Sequence, residues 1–383
     1  MSSFRGRTGV RAGTVSLSLL IAATVLVTGC ARFDDSASGP FTTEPTWKDA
    51  DFGPEKRPST TTAKPEGPCI DQSEGVVATC LDVTSGVVGL PDGTTGLVAE
   101  QKTGGIFKID TQDPTPMPPA HVAPKIAQLD VDGSGDGGLE DITLSPTYSE
   151  DGLIYAYLTT PSDNRVVRIG EDGAAKPVLT GIPKGGTGNH GAIEFISETE
   201  MLVLTGDAGD AGGAANPGSL AGKLLRVTLS PGAPTQTEVV TSGIATAGDV
   251  CIGPGGTIWV TDRTPVEDRL RRVTPEGALV TGWTWTDHPG VSGCVAGADT
   301  VSVAMTEAKG LAIAAADKDT HAITVVPSLQ YQNMWGRLNG ASPGPSGSIW
   351  LATINKAPGG EPGPNDDRVI LVAPSAQSGS GPD

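Results

Sequence analysis

Apolar residues along this chain come in short runs, not in helical stripes. The triplets Leu97-Val98-Ala99, Ile154-Tyr155-Ala156, Leu202-Val203-Leu204, Ile258-Trp259-Val260, Val301-Ser302-Val303 and Ile349-Trp350-Leu351 recur at intervals of 57, 48, 56, 43 and 48 residues. Most follow a turn signal such as Pro91-Asp92-Gly93, Pro254-Gly255-Gly256 or Pro345-Ser346-Gly347. Most precede a second strand-like run, for example Gly105-Ile106-Phe107-Lys108-Ile109, Arg165-Val166-Val167-Arg168-Ile169, Lys223-Leu224-Leu225-Arg226-Val227 or Arg368-Val369-Ile370-Leu371-Val372. Short apolar runs bounded by Gly and Pro read as strands. A unit of this length holds about four strands and is too small to bury its own faces, so neighbours must stack. The pattern predicts an all-β chain folded as a six-bladed β-propeller. An irregular β-sandwich or β-solenoid is the competing architecture.

Composition narrows the function. With 53 Gly and 31 Pro in 383 residues the chain is too punctuated for a helical bundle, while 37% hydrophobic residues suffice for a packed core. The formal charge of −18 repels a polyanion and excludes nucleic acid as an electrostatic partner. The chain contains neither a Walker loop nor a Gly-x-Gly-x-x-Gly opening a helix, so nucleotide chemistry has no support.

The N-terminus carries an address. Residues 1–29 hold Arg5, Arg7 and Arg11 without an acid, and an apolar run follows that is too short for an ordinary spanning helix. It ends in Leu26-Val27-Thr28-Gly29-Cys30. Small residues before a cysteine resemble the lipobox of bacterial lipoproteins, which implies cleavage after Gly29 and lipidation of Cys30. A plain secretory signal is the alternative. Acyl chains would anchor the protein on the outer face of the cytoplasmic membrane, in the cell envelope. Residues 30–68, rich in Pro, Thr and Ser, then read as a tether. Residues 69–375 form the expected propeller and 376–383 a disordered tail.

Removing Cys30 leaves Cys69, Cys80, Cys251 and Cys294, an even number for an oxidising compartment. Of three possible pairings, Cys69–Cys80 with Cys251–Cys294 is favoured, since the first closes a short loop at the domain edge. Zinc is disfavoured because no Cys-x-x-Cys spacing occurs.

The central stretch is more specific. It contains Gly188-Asn189-His190-Gly191-Ala192-Ile193-Glu194-Phe195, then Thr205-Gly206-Asp207-Ala208-Gly209-Asp210, then Ser219-Leu220-Ala221-Gly222-Lys223-Leu224-Leu225-Arg226. Gly138-Leu139 with Leu144-Ser145-Pro146, and Trp259-Val260-Thr261-Asp262, fit further blocks. Over about residues 80–375 the chain resembles the glucose/sorbosone dehydrogenase family, six-bladed propellers typified by soluble pyrroloquinoline quinone (PQQ) sugar dehydrogenases. More narrowly it is similar to the actinobacterial LppZ-type lipoproteins.

The resemblance implies a catalytic histidine that takes the proton from a sugar hydroxyl. Ungapped counting puts Gly188 at that position, and a two-residue slip puts His190 there. The expectation is His190 at or near the channel mouth without a cofactor-sized pocket aligned to it, so that His190→Ala leaves ligand affinity nearly unchanged. The family's quinone-gripping Arg-Asn falls on Ala245-Thr246. Of two late arginines one matches Arg337 and the other falls on Asn339, while Lys309 lies near the place of a quinone-contacting lysine. Missing cations argue against retained PQQ binding. Calcium is a separate expectation. Thr264-Pro265 matches a pair that offers backbone carbonyls to a calcium ion. The acids Asp130, Asp132 and Asp136, with Asp141 beyond, follow EF-hand-like offsets without flanking helices, and a solvated Asp/Gly turn is the other reading.

Asp207, Asp210 and Asp262 are candidate ligands or bases that Gly-rich turns would also explain. Trp283 and Trp285 are candidate sugar contacts, with Trp259 and Trp350 assigned to the core. The leading functional expectation is an envelope lipoprotein whose propeller binds a sugar, a cell-wall polysaccharide or an envelope partner and whose quinone site is degenerate. The alternative is a PQQ- and calcium-dependent sugar dehydrogenase. A metal-dependent lactonase is a third class, by fold analogy alone.

Overall fold

Six four-stranded antiparallel sheets form the fold, in a computed structural model that describes residues 69–111, 125–230, 232 and 234–373. The expected signal peptide, Cys30, the tether and the 376–383 tail lie outside the described residues. The sheets span 84–128, 139–182, 191–242, 246–285, 291–330 and 338–372, here blades 1 to 6. The outermost strand of blade 6 is Val76–Ala78, from the other end of the chain, paired with Val369–Val372. This closes the ring. Arg368 Nε donates to Asp71 Oδ2 at 2.7 Å, and Asn365 Nδ2 donates to Ile70 O at 3.1 Å across the same seam.

The core explains why a ring is required. Each of six apolar clusters joins two neighbouring blades. Leu97 and Ile106 of blade 1 pack with Ile154 and Ile169 of blade 2. Trp350 and Val369 of blade 6 pack with Val98 and Phe107 of blade 1. A blade alone would expose both faces. The competing sandwich and solenoid architectures are therefore excluded.

All six apolar triplets of the sequence are second strands of blades, buried on both faces, as in Thr95–Glu100 and Ile154–Thr159. Outermost strands such as Gln236–Ser242 are mostly exposed. Innermost strands line the central channel, and all but Leu139–Leu144 of blade 2 carry glycine. A Cβ on Gly340 would stand 2.1 Å from Ser85 O, and one on Gly293 2.5 Å from Asn339 O. Adjacent inner strands thus meet backbone to backbone, which only glycine permits.

Both favoured disulfides form, Cys69–Cys80 and Cys251–Cys294. The second joins the inner strands Thr246–Ile252 and Val291–Ala296 of blades 4 and 5. Among the described residues no helix is long and apolar enough to cross a membrane.

Candidate functional site at the propeller mouth

Every inner strand begins at the same end of the ring. Antiparallel order then places two sets of loops on that face: those leading into inner strands and those joining second to third strands. His190 immediately precedes the inner strand Gly191–Phe195, so it stands at this mouth, as expected. Its Nδ1 lies 2.8 Å from Glu140 Oε2, on the inner strand of blade 2. Glu140 is nearly buried and also accepts from Gln101 Nε2 at 3.1 Å. His190 Nε2 lies 3.7 Å from Asp136 Oδ2. The result is an imidazole fixed by one carboxylate and flanked by a second. Glu140 and Gly191 line a cavity at the top of the channel with Ser85, Asp141, Asp249, Ser292 and Asn339.

The acidic loop has other work. Asp136 accepts from Gly188 N at 2.6 Å and from Asn189 Nδ2 at 2.7 Å, bracing the backbone before His190. Asp132 pairs with Lys184 and accepts from Ser134 N at 2.9 Å. The Lys184 contact holds the Asp132 carboxyl below the usual range. Asp130 lies at the start of this loop, and Asp141 lies inside the channel. Among the described residues no three His, Cys, Asp or Glu side chains surround one point as a metal cage.

Opposite stand two arginines. Arg263 ends a second strand of blade 4, directly before Thr264-Pro265. Burial depresses its pKa, opposed by Asp268, Asp136 and Glu307 and reinforced by Arg337. These charges therefore share one electrostatic neighbourhood, drawn from several blades. Arg337 Nη2 donates to Glu307 Oε1 at 2.5 Å, and its Nη1 donates to Pro358 O at 3.1 Å. Thr264 closes a turn, its Oγ1 donating to Glu267 O at 2.8 Å. Lys309, in the neighbouring blade 5 turn, has φ of 52° and its carbonyl accepts from Asn333 N at 2.8 Å.

Ala245-Thr246 leads into the inner strand of blade 4, with Ala245 N donating to Asp262 Oδ2 at 3.3 Å. Asn339 Oδ1 accepts from Ser292 Oγ at 2.6 Å. Asp207 and Asp210 accept from Gly209 N and Gly213 N, each at 2.9 Å, so both organise their own turn. Asp262 is fully buried and binds Arg269 and Arg271. Trp259 and Trp350 are core residues, and Trp283 and Trp285 pack against the cluster joining blades 4 and 5. Sequence reasoning missed Glu140, Gln101, Arg263 and Glu307. Only Glu140 had a signal, standing beside Gly138-Leu139.

Comparison with known proteins fits this geometry. Residues 81–262 match the family model described as Glucose / Sorbosone dehydrogenase. The PQQ-bound aldose sugar dehydrogenase of Streptomyces coelicolor is 27% identical, with a TM-score of 0.69 over 77% of this chain and 95% of that one. A glucose dehydrogenase-type putative oxidoreductase of Thermus thermophilus is 23% identical, TM-score 0.66, over 78% and 98%. The apo soluble aldose sugar dehydrogenase of Escherichia coli is 17% identical, TM-score 0.61, over 78% and 99%. The last two share the fold. No curated relative matches the chain. The chain thus carries a glucose/sorbosone dehydrogenase-like six-bladed propeller.

Proposed function

We propose that this is a lipid-anchored protein of the cell envelope whose propeller mouth binds a carbohydrate, a free sugar or a cell-wall polysaccharide, and that its quinone site is degenerate. The supporting observation is what occupies the quinone-gripping positions. Ala245-Thr246 offers no cation, the Asn339 amide oxygen is taken by Ser292, and Arg337 is neutralised by Glu307. A carboxylate-rich quinone needs charge-assisted donors. The mouth instead sets Asp136, Glu140, Asp268 and Glu307 against Arg263 and Arg337. PQQ does not fit these residues.

The same mouth suits neutral polyols. A hydroxyl group both donates and accepts, so alternating carboxylate, imidazole, amide and guanidinium groups can satisfy several at once. Gln101, Glu140, Asp136 and His190 supply such a set within one cluster. The sequence-derived lipid anchor would keep this mouth at the envelope. Calorimetric titration with a panel of aldoses and cell-wall polysaccharides tests the reading. Because Glu140 fixes its imidazole within this polar cluster, His190 is here a binding group and not the bystander expected from sequence; saturable binding lost in His190→Ala supports the reading, and absence of binding across the panel overturns it.

One observation favours a working sugar dehydrogenase instead. The 2.8 Å His190–Glu140 contact is the geometry of an oriented general base. That reading requires quinone and calcium to bind and aldose-dependent dye reduction to follow.

A further inference from the structure

Arginines around the mouth are paired. Arg337 binds Glu307, Arg269 and Arg271 bind Asp262, and Arg165 binds Asp163. Arg263 is the exception. Among the described residues none forms a hydrogen bond or ion pair with its side chain, and Asp268, Asp136 and Glu307 act on it only through space. It is half-buried, so folding removes part of its hydration without supplying a partner. A guanidinium carries five N–H donors and no acceptor.

The fold aims this group at the entrance of blade 5. Side chains alternate along Ile258–Arg263, so Trp259, Thr261 and Arg263 share one face. Trp259 packs in the cluster joining blades 4 and 5, and Thr261 Oγ1 donates to Ser292 O at 2.5 Å, on the inner strand of blade 5. Arg263 is two residues nearer the mouth than Thr261, which sets it level with Gly290 and the loop from His288. Asp268, which pairs opposite Arg263 in the sheet, anchors that loop. It accepts from Gly290 N at 2.7 Å and from Val291 N at 3.1 Å, and its Oδ1 lies 3.3 Å from His288 Nδ1. With Nδ1 donating to Asp268, a neutral imidazole presents Nε2 as an acceptor, and the His288 side chain is exposed. An unused fork of donors therefore stands beside an unused acceptor.

We propose that this side of the mouth is a carboxylate subsite for a uronic acid sugar, in which Arg263 takes the carboxylate in a two-toothed grip and His288 Nε2 accepts a neighbouring hydroxyl. The inference rests on the carbohydrate reading above and narrows it to acidic sugars. A guanidinium matches a planar carboxylate bidentately, and such charge-assisted bonds are stronger than those to a neutral hydroxyl. The cluster of Gln101, Glu140 and His190 is left for further hydroxyls of the same ligand. The surrounding acids limit the charge this subsite accepts. Asp136, Asp268 and Glu307 all act on Arg263, so one carboxylate is balanced while a phosphate dianion is repelled. One guanidinium grips one carboxylate, so the subsite does not restore a quinone grip.

The test is calorimetric titration of the full chain with sodium glucuronate, glucose, glucose 6-phosphate and sodium acetate. Glucuronate is expected to bind about tenfold more tightly than glucose, and more tightly than the phosphate or acetate. Arg263→Gln should abolish the preference over glucose. Arg263→Lys keeps the charge without the fork and should leave only part of it, and this variant decides where Arg263→Gln does not fold. Arg168→Gln, at an exposed position on the third strand of blade 2, should keep the preference in full. Glucose binding as tightly as glucuronate overturns the subsite and leaves the carbohydrate reading standing, whereas no binding of either sugar overturns both. Glucose 6-phosphate or acetate binding as tightly as glucuronate, a preference unchanged in Arg263→Gln or Arg263→Lys, or one lost in Arg168→Gln would each overturn the proposal.

Discussion

Glu140 Oε2 lies 2.8 Å from His190 Nδ1, and this contact joins the inner strand of blade 2 to the loop entering blade 3. Gln101 Nε2 steadies the same carboxylate, donating to its two oxygens at 3.1 and 3.2 Å. Glu140→Gln keeps the shape and removes the charge. Hydrogen bonds to a charged group contribute ~1.5–3 kcal/mol. Loss of affinity for a bound aldose should be about tenfold or more by calorimetry, with the melting temperature also lowered, because the bonds to His190 and Gln101 are intramolecular. Unchanged affinity would place the ligand elsewhere.

Stability should fall between mildly acidic and mildly alkaline pH. Folding raises Glu194 to about 8 from 4.5 and Asp249 to about 7 from 3.8. Below pH 4 both folded and unfolded chains hold these protons, so the stabilisation is fully present. As pH rises the unfolded chain ionises first, and the stabilisation is lost by the time pH passes the folded values. Calcium-free melting curves at pH 5, 7 and 9 should show a falling midpoint. Glu194→Gln should flatten that slope.

The Cys251–Cys294 bridge closes a loop with a sequence separation of 43. Constraining a loop of that length contributes ~3–4 kcal/mol in the chain-entropy account. The double variant Cys251→Ser/Cys294→Ser should unfold at lower urea. Bound reagent on any of the four cysteines in unfolded, unreduced protein would contradict complete pairing.

The proposed lipid anchor rests on Cys30. Cys30→Ala should abolish lipidation and release the protein from washed membranes. A variant that still fractionates with membranes after high salt would show that something other than the lipid holds it.

The fold was largely legible in the sequence, for a physical reason. Second strands such as Ile154–Thr159 are buried on both faces, so they read as apolar runs. Inner strands were not legible. Thr246–Ile252 carries Gly248 and Asp249 because it faces a polar channel and touches its neighbour's backbone. The site was legible only in part. His190 at the mouth and Arg337 on the same face came from motif matching. The pairing of His190 with Glu140, fifty residues earlier, is set by blade-to-blade packing, as is the gathering of Arg263 with Asp136, Asp268 and Glu307. Local patterns do not encode such distances.

The most direct test of the central claim is equilibrium dialysis of purified protein against PQQ and calcium, followed by dye-reduction assays with aldoses. The proposed degenerate quinone site, with Ala245-Thr246 and Asn339 at the gripping positions, predicts no stoichiometric quinone retention and no aldose-dependent reduction. One quinone retained per chain with sugar-dependent turnover would contradict the account and establish a working sugar dehydrogenase.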